Sequence, residues 1–349
     1  MAKKDWMIKE SEIDDDQLRV LQATLGKSCV VAGCAGSGKS VLALIKAQRI
    51  QKELGNNYKV IVYTKALCRY MNAGKESLEL NNDFCYLHDY KKYNYPSADY
   101  IIVDEIQDFV EEEIESFIKA AKKNYFFYGD TAQSIYSKFR NTVKVEDIKN
   151  INAANNPKWF ELYRNYRLPK GVAKITQFIG VDLDGYDDNI YKNAYPGIPR
   201  FIRYQSIEEQ IKSIVSIIKR DTLDDVAILL PHNQSVRSIS GLLNQLGLSH
   251  EVKYKDDDWR NNVDTLDFTT TNPKVMTFHS AKGLQFETIF LPSIGGRTLD
   301  NDDRKALYVA MTRTYKDLYI MYSYGLPEPF NLVPGELFKT SEVDVIDDM

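Results

Sequence analysis

Residues 33–40 (GCAGSGKS) constrain the fold of this chain more than any other stretch. They fit the pattern G-x-x-x-x-G-K-[ST], which is typical of a phosphate-binding loop between a strand and a helix. The flanking sequence supplies both elements. Residues 29–32 are a short apolar run that predicts a buried strand, and from Val41 onward apolar side chains recur at helical spacing. We therefore predict a protein that binds a nucleoside triphosphate.

The residue types of this loop suit the chemistry of a phosphate chain. Glycines let the backbone curl so that its N–H groups face an anion. The following helix directs the positive end of its dipole at the same point. We expect Lys39 to reach the β and γ phosphates and the Ser40 hydroxyl to bind Mg²⁺. The predicted backbone cradle consists of Gly33, Ala35, Gly36, Ser37 and Gly38.

Composition excludes several other classes of protein. The chain has 349 residues, of which 44% are hydrophobic and 27% charged, as expected of a globular protein with about two domains. Its net charge of −4 creates no overall basic field, so any binding of nucleic acid must be local. The four cysteines lack C-x-x-C spacing, which argues against zinc or iron–sulfur sites and for a reducing compartment.

Targeting signals are not evident in the sequence. Residues 1–10 (MAKKDWMIKE) have no apolar core, unlike a signal peptide. No segment approaches the ~18 consecutive apolar residues of a membrane span. We expect a cytoplasmic protein without membrane contact.

Apolar, β-branched or aromatic runs alternate with helical patterns such as 111–122 and 236–246. This alternation predicts α/β architecture with parallel sheets covered by helices. So many strands favour two sheets, and Pro169 and Gly171 suggest a seam after the strand at 160–163. We predict two domains and an acidic, frayed tail, at 1–163, 164–333 and 334–349.

Two other predicted strands end in polar residues that suit phosphate chemistry. The run ending at Val103 is followed by Asp104 and Glu105. Asp104 is placed to bind Mg²⁺, and Glu105 is placed to deprotonate an attacking water. Residues 129–133 (GDTAQ) follow another strand, and Gln133 there could sense the γ phosphate. Each pattern alone is equally compatible with the solvated residues of a turn.

Together these motifs resemble those of the UvrD/Rep-type superfamily 1 helicases. Residues 104–108 (DEIQD) are similar to the DEAQD box of that family, and 129–136 (GDTAQSIY) to its motif III. The remaining matches follow in family order: 13–17 (IDDDQ, the Q motif), 62–66 (VYTKA, motif Ia), 87–88 (LH, motif Ib), 165–167 (NYR, motif IV), 277–286 (TFHSAKGLQF, motif V) and 308–313 (YVAMTR, motif VI).

The resemblance implies two tandem RecA-like P-loop domains that hydrolyse ATP in the cleft between them. Gln17 would read adenine and Tyr166 would stack on it. Arg167 and Arg313 would act as arginine fingers that neutralise charge on the transferred phosphoryl group. Gln285 replaces the family's ribose-contacting Glu in motif V, so sugar recognition is expected to differ. The first domain would supply the catalytic residues Lys39, Glu105 and Gln133 and the metal ligands Ser40 and Asp104.

The resemblance also implies a single strand of nucleic acid gripped by aromatic stacking and polar contacts. The candidates by family position are Tyr63, His88, Tyr136, Phe139 and His279. The family has Trp-Arg near motif III, and here Phe139-Arg140 matches with a shift of one residue. Any one of these aromatic side chains could instead belong to the core.

The largest departure from the family is length. Relatives insert accessory domains where only short segments separate His88 from Asp104 and Leu248 from Val275. Residues 256–271 are predicted to form an acidic loop in place of the second insertion.

We expect a minimal ATP-dependent translocase or helicase on single-stranded DNA, moving 3′ to 5′ as this branch does, with RNA left open. One alternative is a non-translocating ATPase that regulates a partner such as a nuclease or an anti-phage complex. Another is a scaffold that binds nucleic acid without turnover, although the presence of Lys39, Glu105, Arg167 and Arg313 argues against it.

Overall fold

The structure, a computed structural model, describes residues 13–75, 78–136, 140–151, 156–181, 183, 185–296 and 298–341. Three predictions concern residues outside these ranges: the lack of a signal peptide at 1–10, the stacking role of Phe139, and the acidic end of the tail at 342–349. The chain divides into two structural units, Met1–Tyr166 and Arg167–Met349, called unit 1 and unit 2 below.

Unit 1 is built on a six-stranded sheet in the order β3-β2-β4-β5-β1-β6, and all neighbouring strands are parallel. The strands are β1 (Cys29–Gly33), β2 (Tyr58–Val62), β3 (Cys85–Tyr86), β4 (Ala98–Val103), β5 (Ala121–Gly129) and β6 (Lys158–Leu162). The helices are α1 (Asp15–Gln22), α2 (Lys39–Leu54), α3 (Lys65–Gly74), α4 (Leu87–Lys92), α5 (Glu111–Ala120) and α6 (Ile148–Ile151).

The core of unit 1 explains why its central strands are apolar runs. Ile101 and Val103 of β4 are fully buried and share one hydrophobic cluster with Phe127 of β5 and with Ile114 and Phe117 of α5. Strands that are covered on both faces need no polar side, so their sequences do not alternate.

Unit 2 has a seven-stranded sheet in the order β10-β9-β11-β8-β12-β13-β7. Its strands are β7 (Arg200–Arg203), β8 (Val226–Leu230), β9 (Glu251–Tyr254), β10 (Val263–Asp264), β11 (Lys274–Thr277), β12 (Phe286–Leu291) and β13 (Thr314–Tyr322). All neighbours are parallel except β9 and β10. The helices are α7 (Lys170–Ile179), α8 (Ile207–Arg220), α9 (Asn233–Gln245) and α10 (Asn301–Met311).

The predicted fold class, α/β with two parallel-stranded RecA-like sheets, is confirmed. The helix predicted at 111–122 is too long, because α5 ends at Ala120 and β5 begins directly at Ala121. Ala121 pairs with Ala98 of β4, so sheet pairing ends the helix. The predicted loop at 256–271 contains a 3₁₀ turn and the short strand β10, which pairs with β9. Among the described residues, no helix is long and apolar enough to cross a bilayer.

The beginning of the predicted tail is part of unit 2. Lys339 forms a parallel bridge with Arg200 at the start of β7. The ring of Phe338 stacks on that of Phe201, with centroids 4.3 Å apart. Residues 334–341 therefore extend the packing of the β7 edge.

Candidate functional site

Three loops of unit 1 meet at the carboxyl edge of its sheet. In the sheet, β5 lies between β1 and β4 and pairs with both. The phosphate-binding loop follows β1, Asp104 and Glu105 follow β4, and Asp130 follows β5. Because parallel strands end at the same edge, these residues converge where open α/β sheets bind ligands.

The phosphate-binding loop has the predicted backbone. Gly36 and Gly38 have φ of 74° and 87°, in the left-handed region that glycine adopts without strain. A Cβ at Gly33 would lie 2.6 Å from Ser37 Oγ and 2.9 Å from Leu162 Cβ, so no larger residue fits there. These glycines form the curled cradle in front of the amino end of α2.

Lys39 lies across this loop. Its Nζ donates to the carbonyl oxygens of Gly33 and Cys34, both at 2.8 Å, and the side chain is buried. Both acceptors lack a net charge, so the ammonium charge remains available to attract an anion in the cradle.

Asp104 is a fully buried acid beside the loop. Its Oδ1 accepts from the backbone N–H of Glu105 at 3.0 Å. Its Oδ2 is buried and accepts no hydrogen bond from the described residues. Burial, and next the neighbouring Glu105 carboxylate, raise the pKa of Asp104 to about 7, although the Ser40 hydroxyl and the Lys39 ammonium act in the opposite direction.

The donor atoms at this point fit Mg²⁺. A serine hydroxyl and a carboxylate with a buried, unbonded oxygen are the oxygen ligands that this cation prefers. The described residues contain no cluster of three or more His, Cys, Asp or Glu that could hold a metal alone. Ser40 and Asp104 would therefore hold Mg²⁺ together with phosphate oxygens and water.

Glu105 has an unusual backbone. Its φ of 56° and ψ of 43° are left-handed, a conformation uncommon for residues other than glycine. Such strain persists where the surrounding structure fixes it, often at functional sites. The side chain is buried, and Gln107 Nε2 donates to its Oε2 at 2.5 Å.

A network of amides joins Glu105 to the loop after β5. Gln107 Oε1 accepts from the backbone N–H of Asp130 at 2.9 Å. Gln133, the predicted γ-phosphate sensor, donates from Nε2 to Asp130 Oδ2 at 2.6 Å. The sequence analysis assigned no role to Gln107. Its position within the DEIQD box was the signal that could have identified it.

The two residues predicted to contact adenine lie against the same loop. Gln17 Nε2 donates to the carbonyl of Ser37 at 3.0 Å, and its Oε1 accepts from the N–H of Asp14 at 3.2 Å. Tyr166 donates its N–H to the carbonyl of Gly36 at 2.9 Å, and its hydroxyl donates to Asp14 Oδ2. Asp14 was missed by the sequence analysis, although it caps α1 within the predicted Q motif.

Four of the predicted ATP and nucleic-acid residues belong to unit 2: Arg167, His279, Gln285 and Arg313. Arg313 is 1% exposed and follows α10; its Nε donates to the Val309 carbonyl at 2.9 Å. Burial, and next the charge of Lys282, lower the pKa of His279. The roles of these residues remain predictions: contact with ATP for Arg167, Gln285 and Arg313, and contact with nucleic acid for His279.

Aromatic side chains cluster beyond the ends of β2 and β3. The Tyr63 and Tyr136 rings are tilted against each other with centroids 4.6 Å apart. The Arg140 guanidinium lies 5.2 Å from the centroid of Tyr63. His88 is exposed, and its ring lies 5.1 Å from that of Tyr86. The structure thus brings together Tyr63 and Tyr136 and adds Tyr86 and Arg140 to the predicted set.

Two family models match the chain. The UvrD-like helicase C-terminal domain matches residues 274–321, and the viral superfamily 1 RNA helicase core domain matches residues 29–189. A "Probable DNA helicase" of Mycoplasma pneumoniae is 24% identical over 251 residues, or 64% of this chain. Together these matches support a superfamily 1 helicase of the UvrD-like kind.

Other relatives align over shorter stretches. The DNA helicase II of Rickettsia typhi is 42% identical over a 94-residue alignment, with 20% of this chain covered. The alignments cover 14% of that relative and 44% of the Mycoplasma protein, so the chain spans less than half the length of these relatives. The C-terminal domain of a possible DNA helicase from Lactobacillus plantarum matches 51% of the chain at 17% identity and a TM-score of 0.38.

Proposed function

We propose that this chain hydrolyses ATP and uses the energy to move along single-stranded DNA, 3′ to 5′. The observation that carries the proposal is the convergence of Lys39, which follows β1, with Asp104 and Glu105, which follow β4, at the carboxyl edge of the sheet. The similarity to UvrD-like and superfamily 1 helicases supports a hydrolase coupled to nucleic acid.

In this proposal the residues of unit 1 perform hydrolysis. The loop N–H groups and Lys39 bind the phosphate chain, and Ser40 and Asp104 hold Mg²⁺, which supplies charge neutralisation when bound. Glu105 orients the attacking water and accepts its proton. Gln133 senses the γ phosphate through its position beside Asp130.

The residues of unit 2 complete the proposed chemistry. Arg167 and Arg313 act as arginine fingers in an ATP cleft between the RecA-like domains. Gln285 contacts the ribose. The proposed contacts with nucleic acid are made by His279 of unit 2 and by Tyr63, His88 and Tyr136 of unit 1. Phe139 belongs to the same proposed set.

Single-stranded DNA is the proposed track. The relatives from Mycoplasma and Rickettsia are named as DNA helicases, whereas the matching core model is that of RNA helicases. Half-buried tyrosines such as Tyr63 and Tyr136 can stack on bases of either kind, because every base presents a π face. Both nucleic acids therefore belong in the test.

The test is steady-state ATP hydrolysis by the purified chain, alone and with single-stranded DNA or RNA. We expect stimulation by DNA. Glu105→Gln should lower kcat about 10²–10⁴-fold, the range of general-base catalysis, and should still bind ATP. Lys39→Ala should lose nucleotide affinity as well as turnover.

Each contrary outcome has a meaning. ATP hydrolysis that no nucleic acid stimulates would favour a regulatory ATPase subunit over a motor. Binding of nucleic acid without hydrolysis by the unaltered chain would favour a scaffold. Normal kcat in Glu105→Gln would refute the assignment of the base.

A further inference from the structure

We propose that Gln107 is a positioning residue, which fixes the orientation of the Glu105 carboxylate and ties it to the loop that begins at Asp130. The inference rests on the proposed function, because it assigns a partner to the base of ATP hydrolysis. It concerns a residue that contacts neither nucleotide nor water in that mechanism.

The hydrogen bonds of Gln107 have a fixed polarity. The amide is fully buried; its Nε2 donates to Glu105 Oε2 at 2.5 Å, and its Oε1 accepts from the Asp130 N–H at 2.9 Å. A flipped amide would set its oxygen against a carboxylate and its NH₂ against an N–H group. The surroundings therefore select one orientation. In that orientation Gln107 links the Glu105 carboxylate to the backbone N–H of Asp130, which is 23 residues from Gln107 in the sequence.

The loop after β5 holds Gln107 closely. A Cβ at Gly129 would lie 2.7 Å from Gln107 Oε1, so only glycine leaves room for the amide. The Ser134 hydroxyl also lies 3.4 Å from the Gln107 carbonyl oxygen, to which it donates. Because side chain and backbone both contact this loop, a shift of the loop would move Gln107.

The position of Glu105 matters for the proposed reaction. A general base must lie within hydrogen-bond reach of the water that it deprotonates. A misplacement of about 1 Å can cost about 10²-fold in rate. By holding one carboxylate oxygen of Glu105, Gln107 sets the direction in which the carboxylate faces the water. Loss of this hydrogen bond should therefore lower kcat and leave nucleotide binding intact.

The decisive variant is Gln107→Met, which keeps the size of the side chain and removes both hydrogen bonds. We expect kcat for ATP to fall about 10–100-fold, and KM and the affinity for a non-hydrolysable ATP analogue to stay within about twofold. If Gln107→Met does not fold, Gln107→Asn carries the same expectation, since its neutral amide is one methylene shorter and cannot keep both hydrogen bonds in place.

Asn124→Leu is the matched control. Like Gln107, Asn124 has an amide that both donates and accepts, although this amide is half-buried. It donates to the Leu25 carbonyl at 2.9 Å and accepts from the Ser28 hydroxyl at 3.2 Å. It lies near the beginning of β5, whereas Asp130 follows the end of that strand. This variant should lower thermal stability and leave kcat within about twofold.

A double-mutant cycle separates positioning from a structural role. If Gln107 acts through Glu105, then Gln107→Met should lower kcat less than about twofold when Glu105→Gln is already present, because neighbours that act together are not additive. A full multiplicative loss in the double variant would overturn the proposal. So would normal kcat in Gln107→Met.

The two proposals fail in different ways. An unaltered chain that hydrolyses ATP, together with an unimpaired Gln107→Met, would overturn the role of Gln107 alone. An unaltered chain without ATP hydrolysis would overturn both the proposed function and this inference.

Discussion

At the scale of residues, Asp104 shows how burial prepares an acid for a cation. A buried carboxylate is costly when charged and has no compensating partner on Oδ2 among the described residues. Its pKa of about 7 reflects that cost, since burial is the largest cause of the shift. A bound cation would reverse this balance by stabilising the charged form.

A pH dependence of stability follows for the protein without nucleotide or metal. The folded-state pKa of Asp104, about 7, lies above the ordinary value of 3.8 for an aspartate carboxyl. Between these values the folded state holds more protons, so the free energy of unfolding falls as pH rises. The loss should appear between about pH 5.5 and 7.5, on either side of the folded-state pKa. Urea unfolding in EDTA at both pH values measures it.

Asp104→Asn is the control for this dependence. The variant should lose that part of the slope, because its amide does not titrate. An identical pH dependence in both proteins would contradict the raised pKa of Asp104.

Gly129 tests the close packing around Gln107. Gly129→Ala would place a Cβ 2.6 Å from Ile106 Cγ2 and 2.7 Å from Gln107 Oε1. We expect a loss of about 1–3 kcal/mol in unfolding free energy from overpacking, and a lower kcat as Gln107 is displaced. Denaturant unfolding and ATP hydrolysis report the two effects.

Gly241→Ala is the matched glycine control. Apart from the adjacent residues and the backbone of α9 itself, no atom of the described residues lies within 4 Å of a Cβ built on Gly241. Alanine there should stabilise the protein by about 0.5–1 kcal/mol and leave hydrolysis unchanged. Equal stabilities of the two glycine variants would mean that the Gly129 site is not tightly packed.

At the scale of elements, α1 is attached to α2 at its carboxyl end. Lys46 of α2 is buried, and its Nζ donates to the carbonyls of Val20 and Ala23 at 3.1 and 3.3 Å. Arg49 also donates to Ala23, at 3.1 Å. These cations satisfy carbonyls that a helix end leaves without partners. These hydrogen bonds hold α1, which contains Gln17, against α2, which begins at the end of the phosphate-binding loop.

Lys46→Met tests this attachment. Burial lowers the pKa of Lys46, yet its ammonium is the donor that two buried carbonyls need. Methionine fills the space and donates no hydrogen bond, so we expect a loss of about 1–3 kcal/mol in unfolding free energy. Amide exchange of residues 15–22 should rise. Lys52→Met, exposed on the same helix, should change stability by less than about 0.5 kcal/mol.

At the scale of the whole molecule, the short connections between motifs bear on what the proposed motor can do. Relatives are expected to place accessory domains between His88 and Asp104 and between Leu248 and Val275. Here these segments contain β4 and the small β9–β10 hairpin. The proposed ATP site and nucleic-acid residues need neither insertion.

We therefore expect this chain to translocate on single-stranded DNA and to unwind duplex DNA weakly. Affinity for the strand should fall with added salt, because phosphate contacts release counterions. A translocation assay beside an unwinding assay, at equal protein concentration, tests both statements. Processive unwinding of a long duplex by the chain alone would show that accessory domains are dispensable.

The sequence by itself determined the parts of the site that depend on local order. A strand, a glycine-rich loop and a helix follow one another in the chain, so the motif predicted β1, the cradle and the start of α2. Asp104 and Glu105 directly follow an apolar run, so their place at a strand end was also predictable. These features need only neighbours in sequence.

Only the tertiary structure decided how these parts are joined. The strand order β4-β5-β1 brings the Gln107 amide to Asp130, and the packing of α1 beside β6 brings Asp14 to the hydroxyl of Tyr166. The end of α5 at Ala120 likewise depends on the pairing of Ala121 with β4. Such contacts join residues far apart in the chain, and periodicity and propensity carry no information about them because both describe only local backbone preferences.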